Sequence, residues 1–142
     1  MGAVAGRGGR RGRRLPARPD GRRSRRRPGA AASAAGLRGL PGLAAYGAAK
    51  AGVSSFVAAL GADLRGTGIT ANAVAPGSTD TSILVESARL YGLAGAPAFA
   101  AQQPIERLIE PAEIAAMVAW LMGEGGAAVT GATLPVDGGL SI

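Results

Sequence analysis

A serine, a tyrosine and a lysine stand at a spacing that suggests proton-transfer chemistry. Ser33 precedes Tyr46 by thirteen residues, and Lys50 follows Tyr46 by four. Positions four apart share one face of a helix, so the phenol and the ammonium group can reach the same small volume. A tyrosine phenol titrates at about pH 10 in water, and its phenolate needs a nearby positive charge at neutral pH. Lys50 can supply that charge, so the pair is a candidate for moving a proton.

The residues around this pair predict the helix that must position it. Over residues 43–64, apolar side chains recur at helical spacing, at Val53, Phe56, Val57, Leu60 and Leu64. Alanine fills most of the other positions, which lets neighbouring elements approach closely. The glycines of residues 65–68 supply the left-handed backbone with which helices end. We therefore expect Tyr46 and Lys50 to lie inside a long helix.

A buried strand and a polar turn follow this helix. Residues 69–75 are mostly small or apolar, as in a strand covered on both faces, and Pro76-Gly77 ends the run. A helix followed by a buried strand is half of an α/β repeat. Next comes a cluster of short polar side chains at residues 78–81. Ligands bind at the carboxyl ends of strands in open α/β sheets, so this cluster is a candidate binding segment.

The next segment has the composition of a lid. Residues 82–91 predict a short helix, and residues 92–103 predict a flexible, alanine-rich connection. Long connections at the ligand end of a sheet often cover substrates, which makes Ile83, Tyr91 and Phe99 candidates to line a substrate pocket. Ordinary core packing is the alternative for each of these side chains, and we favour it.

The end of the chain predicts one more helix and one more strand. Pro111 opens the helix and Gly123 closes it. Its apolar stripe consists of Ile114, Met117, Val118 and Leu121. Residues 132–136 predict a final strand, followed by Asp137-Gly138-Gly139. Because Pro135 has no N–H to donate to a neighbouring strand, we expect this strand at the edge of the sheet.

Composition limits the kinds of chemistry that this chain can perform. Its 142 residues are enough for about one domain, and 47% of them are apolar. There is no cysteine and no histidine. Disulfides, thiol catalysis and thiolate or imidazole metal sites are therefore excluded, and we expect no metal site. No apolar run approaches the roughly 20 residues of a membrane span, so we expect a soluble protein without a membrane partner. The absence of cysteine is compatible with the cytoplasmic location that we expect.

The positive charge of the chain is concentrated at one end. The net charge is +7, yet residues 1–30 contain eleven arginines against the single acid Asp20, and residues 31–142 carry a net charge of −3. Sequence rich in arginine, glycine and proline buries too little apolar surface to offset chain entropy. We therefore predict a disordered tail over residues 1–30 and a domain over residues 31–142. The tail has no aromatic residue for base stacking, so we expect no specific nucleic-acid partner.

The motifs together resemble those of one enzyme family. Ser33, Tyr46 and Lys50, then Asn72-Ala-Val-Ala-Pro-Gly, then Val136-Asp-Gly-Gly, occur in the order found in the C-terminal half of classical short-chain dehydrogenases/reductases. The resemblance covers residues 32–142. More narrowly, the chain resembles the mycofactocin-coupled members, and the dihydro-dihydroxybenzoate dehydrogenases are the near alternative because they share Pro-Gly-Ser-Thr-Asp-Thr.

This resemblance implies a reaction and a role for each site residue. Tyr46 would exchange a proton with an alcohol or a ketone while a hydride passes to or from NAD or NADP, and Ser33 would hold the substrate oxygen. Lys50 would stabilise the phenolate and hold the nicotinamide ribose. Pro76, Gly77, Thr79 and Thr81 would contact the cofactor near its carboxamide and pyrophosphate. Two departures from the family pattern are Thr79, where the family often has valine or isoleucine, and Ala32, where it often has serine.

The same resemblance implies that a large part of the fold is missing. The family binds its dinucleotide on an N-terminal strand, glycine-rich turn and helix, and residues 1–32 contain no such unit. The β-branched strand expected before Ser33 is replaced by an arginine-rich run at residues 25–31. We therefore expect an α/β fold that is the C-terminal part of a Rossmann-type parallel sheet, without its dinucleotide-binding half or its glycine-rich pyrophosphate site.

The expected function follows from this partial fold. We expect an NAD(P)-dependent oxidoreductase acting on the CH–OH group of an alcohol or on the matching ketone, in a truncated and inactive copy. The alternative is a non-enzymatic fragment or an interaction protein with a basic tail. An apolar face left open on the helix of residues 43–64 would drive self-association. We therefore expect a homo-oligomer formed through that helix, or else a poorly folded monomer.

Overall fold

The computed structural model describes residues 29–31 and 33–142, and their framework is a parallel sheet. Within these ranges the sheet has three strands in the order β1 (Gly29–Ala31), β2 (Asn72–Pro76) and β3 (Thr133–Val136). Ala73 lies opposite Ala30 of β1 on one side and Thr133 of β3 on the other. β3 therefore forms an edge of the described sheet, which confirms the position expected from its proline.

The first strand corrects an expectation from the sequence. We expected no strand before Ser33, yet Gly29–Ala31 pairs in parallel with the first three residues of β2. Three small residues have no apolar pattern of their own, and the strand is defined by the main-chain groups of β2 that it pairs with. Gly29 and Ala30 thus belong to the sheet, while residues 1–28 of the predicted tail, like Ala32, lie outside the described residues.

The long helix predicted around Tyr46 and Lys50 is present as α1 (Ala44–Asp63). Its sheet-facing side places buried Val57 and half-buried Val53 against the small side chains of Ala73 and Ala75 in β2. The chain leaves the helix through Gly66 and Gly68, both with a φ of +75°, as predicted from the glycines. Phe56, which flanks this side of the helix, is 64% exposed. The helix therefore buries one narrow face in the described structure.

The segment predicted as a lid contains more regular structure than expected. Helix α2 (Ser82–Leu90) agrees with the prediction, but the connection expected to be flexible contains a 3-10 helix, Ala96–Gln102. The reason is the burial of Phe99, whose ring meets that of Tyr91 edge-on, with 6.4 Å between the ring centroids. Side-chain packing against α2 thus orders a segment that its alanine-rich composition left undefined.

The last helix, α3 (Pro111–Met122), begins and ends at the predicted residues, with Gly123 as its C-cap. Leu121 of the predicted apolar stripe is buried. At the other end of the helix, the Glu110 N–H donates to the Glu113 carboxylate at 2.9 Å. A short 3-10 helix, Gly125–Ala128, then leads to β3. Within the described ranges, none of the helices combines the length and hydropathy that a membrane span requires.

Candidate active site

The three strands end at one edge of the sheet, where the chain places most of its candidate site residues. Ala31 lies opposite Val74, so Ser33, two residues beyond β1, and Gly77, directly beyond β2, emerge at the same edge. Asp137 follows β3 there as well. We call residues 76–81, 103–110 and 137–142 the carboxyl-edge loops. Open α/β sheets bind their ligands at this edge.

A close backbone approach joins the segment that carries Ser33 to the helix that carries Lys50. The Ser33 carbonyl accepts the N–H of Gly36 at 2.9 Å, which folds the chain into a short 3-10 helix, Ala34–Gly36. A Cβ atom on Gly36 would lie 2.8 Å from both the Lys50 carbonyl carbon and the Ala51 nitrogen. Only glycine fits at that distance, so this turn rests directly on the helix backbone beside Lys50.

Tyr46 and Lys50 lie one helical turn apart, as their spacing predicts. The Lys50 Nζ atom is 5.6 Å from the centroid of the Tyr46 ring. This distance is within the range in which an ammonium group is attracted to an aromatic face. Tyr46 is 47% exposed and Lys50 is half-buried. The structure therefore brings the phenol and the ammonium group together next to the turn that carries Ser33.

The predicted cofactor segment is a loop with little room to move. A Cβ atom on Gly77 would overlap the Gln103 side chain and lie 2.7 Å from the Asp137 Cα and carbonyl oxygen. The Thr79 hydroxyl donates to the Gly77 carbonyl at 3.1 Å, and the Thr81 hydroxyl donates to the Thr79 carbonyl at 3.3 Å. Both hydroxyl protons are used within the loop, while the hydroxyl oxygens keep acceptor capacity.

A second segment pairs with this loop and holds it at the sheet edge. Thr79 forms a parallel bridge with buried Ile109, whose N–H donates to the Ser78 carbonyl at 3.0 Å. The Asp80 N–H donates to the Ile109 carbonyl at 2.9 Å. These bonds extend the sheet by one short parallel pair beyond β2. Thr81 then starts α2, because its side chain accepts the Leu84 N–H at 3.4 Å.

Two polar residues outside the predicted set hold the carboxyl-edge loops together. Gln103, only 1% exposed, makes three hydrogen bonds to backbone groups of Ser78 and Arg107. Arg38 donates from Nη1 to the Leu140 carbonyl at 2.8 Å and so ties the Ser33 side of the site to the end of the chain. No periodicity marks either residue in the sequence. The only available signal is a lone polar side chain next to a motif.

Asp137 turns the chain back after β3. Its buried carboxylate accepts the N–H groups of Gly139 and Ser141, both at 3.0 Å. Gly138 and Gly139 have φ angles of +60° and +86°, which L side chains rarely adopt. The Asp-Gly-Gly sequence is therefore a structural turn, and its carboxylate has its hydrogen bonds inside the protein.

The three candidates for the substrate pocket have different surroundings. Phe99 is buried in packing, as we favoured, whereas Ile83 is 77% exposed. Tyr91 is partly exposed, and a Cβ atom on Gly42 would lie 3.9 Å from its ring. Gly42 belongs to the connection between the Ser33 turn and α1. Of the three, Tyr91 is thus the one placed near the segment that joins Ser33 to Tyr46.

An exposed, two-bond ion pair lies at the start of α3, next to the carboxyl-edge loops. The Arg107 guanidinium donates to both carboxylate oxygens of Glu113, at 2.7 and 2.8 Å. These bonds, with the Glu110 N–H, lower the pKa of Glu113 from its ordinary 4.5 to about 2.

No group of acidic residues with metal-binding geometry occurs in residues 29–31 and 33–142.

The donor set at this edge fits the nicotinamide side of a dinucleotide. An ammonium group at Lys50 suits ribose hydroxyls, and the first N–H groups of α2 suit phosphate oxygens. The hydroxyl oxygens of Thr79 and Thr81, whose protons are used within the loop, can accept the N–H groups of a carboxamide. These groups fit one end of the cofactor. The absence of the strand, glycine-rich turn and helix that hold the pyrophosphate on the adenine side stays a prediction from the sequence.

Comparisons with known proteins match this architecture. The family described as "Enoyl-(Acyl carrier protein) reductase" matches residues 30–141. A putative ketoacyl reductase of Streptomyces coelicolor is 44% identical over 104 residues, covering 68% of this chain and 40% of that protein. The 3-oxoacyl-[acyl-carrier-protein] reductase FabG of Pseudomonas aeruginosa is 44% identical over 97 residues, covering 67% and 37%. The chain thus spans about 40% of the length of these curated relatives.

Solved structures agree with the sequence matches. A variant of actinorhodin polyketide ketoreductase with NADPH superposes with a TM-score of 0.76 at 42% identity, over 81% of this chain and 47% of that one. The 3-ketoacyl-(acyl-carrier-protein) reductase of Brucella melitensis, complexed with NADH, gives 0.70 at 31% identity over 82% and 44%. The narrower likeness to mycofactocin-coupled members stays a prediction. The chain belongs to the short-chain dehydrogenase/reductase family and corresponds to the C-terminal part of its Rossmann-type fold.

Proposed function

We propose that this chain carries the substrate-activating part of an NAD(P)-dependent oxidoreductase that interconverts a CH–OH group and a ketone. The observation that carries the proposal is the contact between the Ser33 turn and α1. Gly36, three residues after Ser33, makes that contact against the backbone at Lys50, whose ammonium lies 5.6 Å from the centroid of the Tyr46 ring. Hydroxyl, phenol and cation are the groups needed to polarise a carbonyl and move its proton.

Each of the three residues has one task in this proposal. In ketone reduction the Tyr46 phenol donates its proton to the carbonyl oxygen, and in alcohol oxidation the phenolate takes that proton back. The Ser33 hydroxyl donates a hydrogen bond to the same oxygen and so fixes its position. The Lys50 ammonium offsets the negative charge that remains on the phenolate. A bound nicotinamide cofactor supplies or accepts the hydride.

We extend the proposal to the cofactor residues and the substrate class. Lys50 with Pro76, Gly77, Thr79 and Thr81 would hold the nicotinamide end of NAD or NADP. The relatives are named as ketoacyl and 3-oxoacyl reductases and as an acetoacetyl-CoA reductase, which favours a small-molecule ketone or the matching alcohol as substrate. Partly exposed Tyr91 and exposed Ile83 are proposed to contact that substrate.

A chimera tests the proposal directly. Residues 30–142 would replace the matching part of the Streptomyces coelicolor ketoacyl reductase, so that the remaining 60% or so of that protein supplies the rest of the fold. The expected result is NADPH- or NADH-dependent reduction of a ketone. A chimera that folds and binds the cofactor but does not turn over any ketone accepted by the parent enzyme would contradict the proposal.

We further propose that the 142-residue chain does not turn over a ketone by itself. The support is that the groups named above serve one end of the cofactor, while the adenine side has no recognisable unit in the sequence. Titration of the full chain with NADH and NADPH, followed by nicotinamide fluorescence, should show no saturable binding at micromolar concentrations. Saturable binding together with turnover would contradict this expectation.

We also propose that the chain self-associates through α1. Phe56 is 64% exposed, and Gly52 and Ala59, four residues before and three after it on the same helix face, are exposed as well. An apolar face of small residues around one aromatic ring is suited to close packing against a second copy. Sedimentation velocity should show a concentration-dependent oligomer that Phe56→Glu dissociates. A wild-type chain that stays monomeric with a sharp, concentration-independent melt would contradict the proposal.

A further inference from the structure

The side chain of Gln103 is the centre of a buried hydrogen-bond network below the proposed cofactor loop. Its Oε1 accepts the Ser78 N–H at 2.8 Å. Its Nε2 donates to the Arg107 carbonyl at 2.7 Å and to the Ser78 carbonyl at 3.3 Å. The acceptor oxygen thus faces a donor and the amino group faces two acceptors, so the orientation of the amide is defined by its partners. Both backbone groups of Ser78 are bonded to this one side chain.

Close packing prevents the Gln103 amide from adopting another position. A Cβ atom on Gly77 would overlap the Gln103 Oε1, so glycine at this position is what lets the amide lie under the loop. On the other side, the chain after Gln103 is pressed against the Asp137 turn. A Cβ atom on Gly138 would lie 2.6 Å from the Ile105 Cγ1, and the Ile105 N–H donates to the Gly138 carbonyl at 3.2 Å. The segment around Gln103 is therefore fixed from both sides.

Burial makes these bonds decisive for the conformation of the loop. Gln103 is 1% exposed and Ser78 is 8% exposed, so a Ser78 amide without Gln103 would have little access to water. The Thr79 hydroxyl bonds only within the loop, to the Gly77 carbonyl, and cannot replace an anchor to the rest of the protein. The bridge between Thr79 and Ile109 anchors the residue after Ser78. The Gly77–Ser78 peptide, which precedes it, is therefore defined by its hydrogen bond to Gln103.

We propose that Gln103 is a positioning residue of this oxidoreductase site, which fixes the Gly77–Ser78 peptide so that residues 76–81 present one conformation to the nicotinamide end of the cofactor. The inference rests on the proposed function, because that function gives the loop its ligand. In this proposal Gln103 bonds to backbone groups below the loop and does not touch the substrate or the reacting atoms. It acts through the backbone that carries the threonine hydroxyls.

Residue-resolved amide hydrogen exchange in the full 142-residue chain tests the inference without any need for activity. Gln103→Leu keeps the volume and removes all three hydrogen bonds. Exchange of the Ser78 amide should accelerate about ten-fold or more, while the Val74 amide in β2 should exchange as in the wild type. The matched control is Gln102→Leu, which alters the exposed neighbouring glutamine and should leave the Ser78 amide unchanged. Equal acceleration at Ser78 and Val74, or none at Ser78, would overturn the inference.

A second variant separates positioning from a general loss of packing. Gln103→Glu keeps the shape, but its carboxylate cannot donate to the two carbonyl oxygens and is repelled by them, so we expect it to leave this position although it could still accept from Ser78. Its protonated form can donate to one carbonyl oxygen and still accept from Ser78. Burial beside carbonyl groups disfavours the charged form. Protection of the Ser78 amide, relative to the wild type at each pH, should therefore be lost at pH 8 and recovered towards pH 5. Protection that does not change with pH in this variant would overturn the inference.

The chimera described above adds a functional readout. Gln103→Leu in the chimera should raise the KM for NADPH several-fold with a smaller change in kcat, because the loop must be ordered before the cofactor is held. A fall in kcat with an unchanged KM would contradict a positioning role. An inactive chimera would remove the proposed function and leave the Ser78 exchange result standing, so the two claims fail separately.

Discussion

The two parts of the site, helix α1 and the carboxyl-edge loops, are held in place by different kinds of interaction. The helix that carries Tyr46 and Lys50 has one buried residue, Val57, among its twenty, and its other faces are open in the described structure. The carboxyl-edge loops contain three of the four buried polar residues of the described chain, Ser78, Gln103 and Asp137. Gln103 forms three hydrogen bonds to backbone groups, and Asp137 forms two.

This difference shows how the site depends on the rest of the protein. Hydrogen bonds within the described chain anchor the carboxyl-edge loops and define their conformation. The position of α1 depends on close backbone contacts at small residues, such as Gly36 against Lys50 and Gly61 against Gly131. Its open faces leave room for further contacts. We therefore expect mutations on the loop side of the site to lower the stability of the monomer, and mutations on the exposed side of α1 to change the stability of the monomer little.

The two phenylalanines of the chain give the largest expected contrast. Phe99→Ala removes a buried ring that packs on Tyr91, and we expect it to lower the free energy of unfolding by about 3 kcal/mol or more. Phe56→Ala removes an exposed ring on α1 and should change that free energy by less than about 0.5 kcal/mol. Urea unfolding of both variants at one fixed, dilute protein concentration measures the difference. Equal losses of unfolding free energy would mean that Phe56 on α1 is buried as completely as Phe99 in the lid segment.

Two glycines give the next contrast, with opposite signs. Gly77→Ala places a Cβ atom 2.7 Å from backbone atoms of Asp137, and we expect a loss of about 2 kcal/mol, since backbone moves less easily than a side chain. Gly52 lies in the middle of α1, and a Cβ atom there would have nothing within 4 Å. Gly52→Ala should therefore raise the free energy of unfolding by about 0.5–1 kcal/mol through helix propensity. Urea midpoints would show whether the signs differ, and a shared sign would contradict the account.

A comparison of two aspartates tests how much the Asp137 hydrogen bonds contribute to stability. Asp137→Ala leaves the N–H groups of Gly139 and Ser141 without their acceptor, and we expect a loss of about 1–2 kcal/mol. Asp63→Ala removes an exposed carboxylate at the last residue of α1, where the helix dipole disfavours negative charge, so the change should be within about 0.5 kcal/mol. Thermal melts of both variants distinguish the two sites. An Asp137 variant as stable as the wild type would show that the turn holds its shape without the carboxylate.

The smallest effect is expected at the exposed ion pair that starts α3. Because the pKa of Glu113 is lowered from 4.5 to about 2 in the folded chain, its stabilising contribution is complete above about pH 4.5 and is lost as pH falls towards 2. Wild-type stability should therefore fall more steeply than that of Glu113→Gln between pH 5 and pH 2.5, and high salt should reduce the difference. The control is Glu124→Gln, at an exposed glutamate just beyond α3. Parallel pH profiles for wild type and Glu113→Gln would contradict the lowered pKa.

The sequence predicts those parts of the fold that have a local signal. Helical periodicity and glycine or proline boundaries locate α1 and α3 within about one residue at each end, and the strand expected at residues 69–75 appears at Asn72–Pro76. Spacing alone places Tyr46 and Lys50 on one helix turn. β1 is missed because Gly29–Ala31 owes its strand geometry to β2, and no pattern in three small residues reports that pairing.

The parts of the site that the sequence does not reveal depend on contacts between distant segments. Gln103 lies 25 residues from Ser78, and Arg38 lies 102 residues from Leu140. Neither pair repeats a motif, and a single buried glutamine in an alanine- and proline-rich segment has no pattern that separates it from its exposed neighbour Gln102. The 3-10 helix around Phe99 is missed for a related reason, since only the Tyr91 ring shows that this segment packs.

Turnover of the chimera with each of the two tyrosines changed to phenylalanine tests the central claim most directly. Tyr46→Phe keeps the ring near Lys50 and removes the proton that the proposal assigns to catalysis, so kcat should fall about 100-fold or more, with the fold and cofactor binding intact. Tyr91→Phe keeps the ring contact with Phe99 and should change kcat by less than about three-fold. A chimera in which Tyr46→Phe retains most of its activity would contradict the assignment of Tyr46 as the proton donor.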